Sequence, residues 1–467
     1  MMIIASKFHV KHLLLIAISF ASIAAAEEPK SFGDLFEIEK EKSESSVGGK
    51  NSSSVREDDF TLPPIKGFLQ SELAYTWPGP GHWSKFRNIF EVGSKGEVGK
   101  SVNWVANIRF TYDPIYDLTN YYSSSVRNDQ RFDFSIRETY LDFSAGDWDF
   151  RVGRQHIIWG EMVGLFVADV VSAKDLRQFI LPDFDLLRIP QWAIRSEYFH
   201  ADLHAEFVWV PVPTVNDIGK VGSEFYPFTT PDISGFRTIT YDDKAPSQTL
   251  GNSAYGVRTS YLKNGWDASL FYYSTPELSP SFRRTVRESE AVITFTPIHK
   301  RIQQFGVTMA KDISRTAVFK AEAVYSMGRP LSVTDQRDSD GLVGQDILDY
   351  IAGIDYTLEE LENTRFNIQF FQSVITDWHR DVVADRVDSG VSFLFSTRAL
   401  HPKLEPEVLY VHGFNHNDWM LQTKLTWEFT TNWRWVNGID AFGGGRQGVF
   451  GQYNEKDRIY SELRFSF

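Results

Sequence analysis

From residue 65 onward, apolar and polar side chains alternate at period two in one short segment after another. Val102, Trp104, Ala106, Ile108, Phe110 and Tyr112 share one face, and Asn103, Val105, Asn107, Arg109 and Thr111 share the other. Trp148, Phe150 and Val152 alternate with Asp149 and Arg151, and Leu203, Ala205, Phe207 and Trp209 with His204 and Glu206. Trp266, Ala268, Leu270 and Tyr272 alternate with Asp267 and Ser269, and Ala317, Phe319, Ala321, Ala323 and Tyr325 with Lys320 and Glu322. Successive strand side chains point to opposite sides, so each segment predicts a strand with one greasy and one wet face. Their length, about 10 to 13 residues, suits a tilted membrane strand.

The last twelve residues, KDRIYSELRFSF, follow the same rule. Ile459, Ser461, Leu463, Phe465 and Phe467 fall on one face and Arg458, Tyr460, Glu462, Arg464 and Ser466 on the other. Alone, this segment also fits the edge strand of a soluble sandwich. The connectors decide against that, because they alternate short and long. Short ones lie near Gly99, Ala145-Gly146-Asp147, His200-Ala201-Asp202, Lys263-Asn264-Gly265 and Thr430–Asn432. Long ones lie at residues 113–130, 160–190, 211–252, 275–300, 328–345, 374–387 and 443–455. The expected fold is all-β: a single transmembrane antiparallel β-barrel of about 18 strands, with short periplasmic turns and long external loops. The ambiguous region around 281–300 leaves 16 strands as the fallback.

The start of the chain adds a compartment. Lys7 and Lys11 precede the apolar run Leu13–Phe20, and small residues lead to Ala24-Ala25-Ala26, the pattern of a secretory signal peptide over residues 1–26. Residues 27–59 are rich in Ser, Glu, Lys and Gly and predict a flexible periplasmic segment, leaving 60–467 for the barrel. Neither the run Leu13–Phe20 nor any later one is long enough to cross a membrane as a helix. Aromatics make up 15% of residues, which girdles at two membrane interfaces would use. There are no cysteines, which removes disulfides, thiolate metal sites and cysteine nucleophiles. A formal charge of −13 argues against a nucleic-acid partner.

Chemistry-bearing residues concentrate in RVGRQHIIWGEMVGLFVADVVSAKDLRQFILPDFDLLRIPQWAIR, residues 151–195. Its Gly153-Arg154-Gln155, Trp159-Gly160-Glu161, Asp169, Asp175-Leu176-Arg177 and Arg188-Ile189-Pro190 resemble an uncharacterised proteobacterial family of porin-like outer-membrane barrels. That family is similar to channels implicated in uptake of sphingoid and other lipid-like solutes. The resemblance implies an outer-membrane channel in a Gram-negative cell. The partners it brings are outer-membrane lipid, lipopolysaccharide, a small amphiphilic solute, and the barrel assembly machinery reading the terminal Phe467.

The residues themselves allow a structural and a functional reading of Arg154 and Gln155. Their donors either tie the following loop to the wall or, with Arg151, meet the solute. Residues 160–190 are long for a loop yet hold Met162, Val163, Leu165, Phe166, Val167, Phe179, Ile180, Leu181, Phe184, Leu186 and Leu187. Such a surface is rarely left in water as one patch, and a wide barrel offers its lumen as cover. The expectation is an inward fold with a short helix at Ala173–Phe179, narrowing the pore. Arg177 and Arg188 would pair with Asp169, Asp175, Asp183 or Asp185. The expected path is therefore Arg151, Arg154, Gln155, Trp159, Glu161, Phe166, Asp169, Asp175, Arg177, Phe179, Phe184 and Arg188. Asn107, read as an open lumen position, is expected to accept an arginine.

Other motifs point to neither metal nor cofactor. His412 and His416 flank a glycine in a loop pattern, and Asp335, Asp338 and Asp340 miss the calcium-loop spacing. No nucleophile is paired with a base, so an enzyme is not expected. Two readings remain: a passive channel for small organic, amphiphilic or lipid-like solutes, and a surface receptor or adhesin that uses the barrel as an anchor.

Overall fold

The computed structural model describes residues 63–467 except 100, 161, 163–166, 229, 232, 336, 337, 359, 360 and 362. The signal-peptide and periplasmic-segment readings, and the site candidates Glu161 and Phe166, lie outside the described residues. Eighteen antiparallel strands form one closed sheet. In chain order they are β1 Ile65–Pro78, β2 His82–Val98, β3 Val102–Tyr112, β4 Phe132–Ala145, β5 Trp148–Gln155 and β6 Gln191–His200. Then follow β7 Leu203–Val210, β8 Ala254–Lys263, β9 Trp266–Pro276, β10 Arg301–Asp312, β11 Ala317–Ser332 and β12 Leu342–Leu358. The last six are β13 Thr364–Ile375, β14 Val387–Ser396, β15 Leu404–Gly413, β16 Asp418–Glu428, β17 Trp433–Gly443 and β18 Lys456–Ser466.

Each strand pairs with its chain neighbours, and β18 returns to β1 from Ser466↔Phe68 to Lys456↔Pro78. Closure leaves neither the first nor the last strand as a free sheet edge. The Gly67 and Phe467 backbones exchange hydrogen bonds at 2.9 and 3.0 Å, and the Phe467 ring stacks near Phe90 and Phe465. Among the described residues no helix is long and apolar enough to cross a membrane. The wall reaches 18 strands without the ambiguous segment, so the 16-strand fallback fails although that segment never enters the wall. Ser281–Arg287 and Val292–Ile298 form a hairpin beside Arg237–Thr240, a separate three-stranded sheet at the long-loop end.

The alternation sorts side chains to two faces. On β18, Arg458, Tyr460 and Glu462 are buried while Ile459 and Leu463 are exposed. On β3, Val105, Asn107 and Arg109 are buried and Phe110 and Tyr112 exposed. Buried charges need partners, and the inner face supplies them across strands. Arg109 Nε donates to Glu91 at 2.5 Å and Asn107 Nδ2 to the other Glu91 oxygen at 2.7 Å. Glu72 takes Lys85 and Arg87 at 3.0 Å each, and Arg458 bridges Glu72 and Asp440.

These contacts correct one expectation. Asn107 is 2% exposed and its amide donates to Glu91, so an arginine there would replace that donor with a second buried cation beside Arg109 and Arg137. We expect Asn107→Arg to destabilise the barrel. Ile108→Arg, on the outer face, should cost about 2–4 kcal/mol near the bilayer midplane. Urea titration of heat-modifiable gel migration measures both, and a neutral Ile108→Arg would mean that this face does not meet lipid.

β4 carries a bulge against β3. Ala106 pairs with Thr139 and Ile108 with Ile136, so Asn107 opposes both Arg137 and Glu138. Two consecutive charged residues are thereby turned inward, which strict alternation forbids.

Candidate functional site

Gln155 at the end of β5 and Gln191 at the start of β6 are paired neighbours. A tight turn would join them, yet the chain inserts residues 156–190. Ile157, Trp159, Ala168, Val170 and Val171 are buried together with Ala193 of β6, Val208 and Val210 of β7, and Ala254 of β8. Phe271 and Tyr273 of β9 and Val324 of β11 complete the cluster. The Trp159 indole donates to Glu206 at 3.1 Å, and its ring lies 5.1 Å from Phe271. Gly256 of β8 makes room: a Cβ there would stand 2.8 Å from the Trp159 ring. Glu322 of β11 accepts from the backbone N–H groups of Met162 and Ala168 at 3.1 and 2.9 Å.

The second half of the stretch meets the opposite arc. Leu181 packs with Val411, Met420 and Phe442 of β15, β16 and β17. Phe179 sits among Phe442, Phe450 and Tyr453, 5.0 Å from the last. Asp183 pairs with Lys424 of β16 at 3.0 Å and Arg434 of β17 at 3.5 Å. Leu186 packs on Phe68 and Ile89 of β1 and β2. Arg109 and Arg137 both donate to the Asp185 carbonyl, at 3.3 and 2.9 Å, and Arg137 also to the Arg188 carbonyl at 2.7 Å. One segment thus engages strands on opposing arcs of the barrel.

Within the stretch, Arg188 pairs with Asp169 at 3.1 Å, and its guanidinium stands 5.4 Å from the Phe184 ring centre. Arg177 pairs with Asp175 at 2.7 Å and with Asp217 at 3.3 Å. The helix expected at Ala173–Phe179 is absent. Ala173–Lys174 instead pairs with Arg188–Ile189, Asp175 bridges to Asp217, and the short helix is Phe184–Leu187. Long-range pairing with residues 188–189 and 217 satisfies this backbone, and local propensity is overruled.

Two candidates stand apart from the rest. Arg151 is held by Asp142 at 2.7 and 2.9 Å, towards the short-turn end. Arg154 pairs in register with Thr139 and Trp192, on the outward row, and its Nε donates to the Pro190 carbonyl at 3.2 Å. Gln155 is fully buried and donates to the Ala193 carbonyl at 3.1 Å. Glu206, Gly256, Phe271, Glu322, Lys424 and Arg434 were not singled out from sequence. Their alternation marks an inner row, but nothing local says that residues 156–190 are their partner. Among the described residues no three metal-binding side chains gather, and His416 lies by Asp385 at 3.6 Å.

The seat of the loop should depend on pH through Asp185. Burial, and after it the Asp183 carboxylate, push its carboxyl up to about 7 from 3.8, against the pull of Arg464, Arg109 and Arg188. A raised carboxyl favours the seated loop while protonated, so its contribution is whole below 3.8 and lost as pH rises through about 7. We expect the loop to loosen as pH rises from about 4 to about 7 and to change no further above that, read as rising conductance, with Asp185→Asn flattening the step. The same step in Asp185→Asn would exclude this carboxyl as its origin.

A family model described as "Protein of unknown function (DUF1302)" matches residues 81–467. The chain belongs to this family. No curated protein matches it. Among solved structures, Pseudomonas aeruginosa OccK8 (OprE) is similar at 10% identity and a TM-score of 0.50, over 86% of this chain and 97% of that one. The Pseudomonas aeruginosa outer membrane protein OpdK is similar at 9% identity and a TM-score of 0.50, over 86% and 98%. At this identity the likeness establishes the barrel fold that the DUF1302 chain shares with them.

Proposed function

We propose that this DUF1302 protein is a passive outer-membrane channel for small organic solutes, with residues 156–190 as its constriction. The observation that carries the reading is the single stretch seated on β6–β9 and β11 largely through apolar contacts, and on β1–β4 and β15–β17 through apolar contacts together with ion pairs and hydrogen bonds from charged wall residues. A barrel of 16 to 18 strands leaves an aqueous lumen, and a segment across it sets what passes. The shared fold with OpdK, an outer membrane protein by name, supports the compartment. The lining is what supports the solute class. Loop side chains such as Phe184 lie beside Arg188, and Arg109 and Arg137 face them from the wall. Such a passage favours solutes with an apolar body and one anionic or polar end.

The competing reading is a receptor or adhesin, favoured by the three-stranded sheet at the long-loop end. Single-channel recording in planar bilayers separates the two. A channel gives discrete conductance steps that an amphiphilic anion blocks more strongly than a sugar of equal size. Correctly folded protein without steps would leave the barrel as an anchor.

A further inference from the structure

The wall is incomplete beside β4. This strand runs from Phe132, but its pairing with β5 covers only Thr139–Ala145. β5 ends at Gln155 and β6 begins at Gln191, level with each other. Phe132–Glu138 therefore have β3 on one side and, among the described residues, no strand on the other. What stands behind the opening is the lumen loop, held there by Arg137 on the Asp185 and Arg188 carbonyls. Phe132, Phe134 and Ile136 along the opening are exposed on the outer face.

Just below the opening the outer wall is dented. A depression of about 600 Å³ is lined by Trp104, Leu141, Val152, Trp192, Ile194 and Pro211, with almost no polar surface. Small residues make it: Ala106, Thr139 and Gly153 lie between the two tryptophans. Arg154 occupies the same outward row, between Thr139 and Trp192. A cation in a lipid-facing row is unfavourable, and such residues mark function more often than chance. Its contact is one carbonyl, Pro190, and no carboxylate among the described residues is within ion-pair distance. A guanidinium has five N–H donors in a fork that fits a carboxylate, so most of its capacity is unspent.

We propose that the opening beside β4 is a side portal between the lumen and the surrounding lipid, and that it binds a single-chain anionic amphiphile. Arg154 takes the carboxylate, and the depression between Trp104 and Trp192 takes the chain. The head then lies beside the Pro190 carbonyl, at the hinge where the lumen loop rejoins the wall. Displacing that carbonyl from Arg154 would free the end of the loop and connect the two spaces. The direction of travel rests on the channel reading; the binding site does not.

The test uses the full chain in phosphatidylcholine nanodiscs and a long-chain fatty acid bearing a terminal diazirine, with crosslinks mapped by mass spectrometry. Labelling should concentrate on residues 104–106, 139–141, 152–153 and 192–194, and exceed that by the matching long-chain alcohol. Arg154→Gln should reduce labelling by the acid about tenfold and leave labelling by the alcohol unchanged. Ala106→Phe, which fills the dent from the lipid side, should suppress both. Even labelling around the barrel, equal labelling by acid and alcohol, or indifference to Arg154→Gln would overturn the site. A diazirine phosphatidylglycerol that labels the same residues as strongly would assign the dent to ordinary membrane lipid and also overturn it. Labelling as expected in wild-type protein that shows no conductance would instead sink the channel reading and leave the site standing.

Discussion

Replacing residues 156–190 by a short Gly/Ser turn raises single-channel conductance severalfold and admits larger neutral solutes. The replacement is geometrically mild, since Gln155 and Gln191 are already paired and need only a hairpin connection. What it removes is the segment between Glu322 on one arc and Asp183's partners Lys424 and Arg434 on the other. It also uncovers Ala193, Val208, Phe271 and Tyr273, so some stability is lost with the buried cluster. Heat-modifiable migration shows whether the barrel survives. Unchanged conductance in folded protein would mean the stretch does not limit the passage, and the constriction would have to lie elsewhere.

Arg458→Leu should destabilise the barrel by about 3–5 kcal/mol, the cost of leaving a buried charge without its partner. Arg458 is 3% exposed and donates to Asp440, itself fully buried, at 2.6 Å. It also stands 3.5 Å from Glu72, which keeps Lys85 and Arg87. Asp440 therefore bears most of the loss. Converting both partners, Arg458→Leu with Asp440→Leu, should recover much of it, because two well-packed apolar groups have no charge to desolvate. Urea midpoints of the single and double variants give the comparison. A loss below about 1 kcal/mol in the single variant would mean that lumen water solvates this pair as it does a surface one.

The strands of this protein were legible because their signal is local. Period-two alternation on Val102–Tyr112 or Lys456–Ser466, and turn residues such as Asn264-Gly265, act within a few residues of themselves. Counting them led to 18, and only the outer hairpin at Ser281–Ile298 confused the number, since a strand pattern does not say which sheet it joins. The unusual apolar content of residues 160–190 was equally plain.

What tertiary structure alone decided was where that stretch finds its partners, and which way particular side chains turn. Met162 meets Glu322 across 160 residues of sequence, and Asp183 meets Lys424 across 241. No local pattern carries contacts of that range. Ala173–Phe179 reads as a short helix until residues 188, 189 and 217 supply its hydrogen bonds. Asn107 reads as an open polar position until the bulge sets Arg137 and Glu138 opposite it and Glu91 takes its amide. Arg154, expected on the solute path, shares the outer row of Trp148, Phe150 and Val152 by plain alternation; what the registers of β4, β5 and β6 add is that Thr139 and Trp192 flank it there. Alternation assigns residues to two faces only while its phase holds, and where a bulge shifts that phase depends on the pairing of chains distant in sequence.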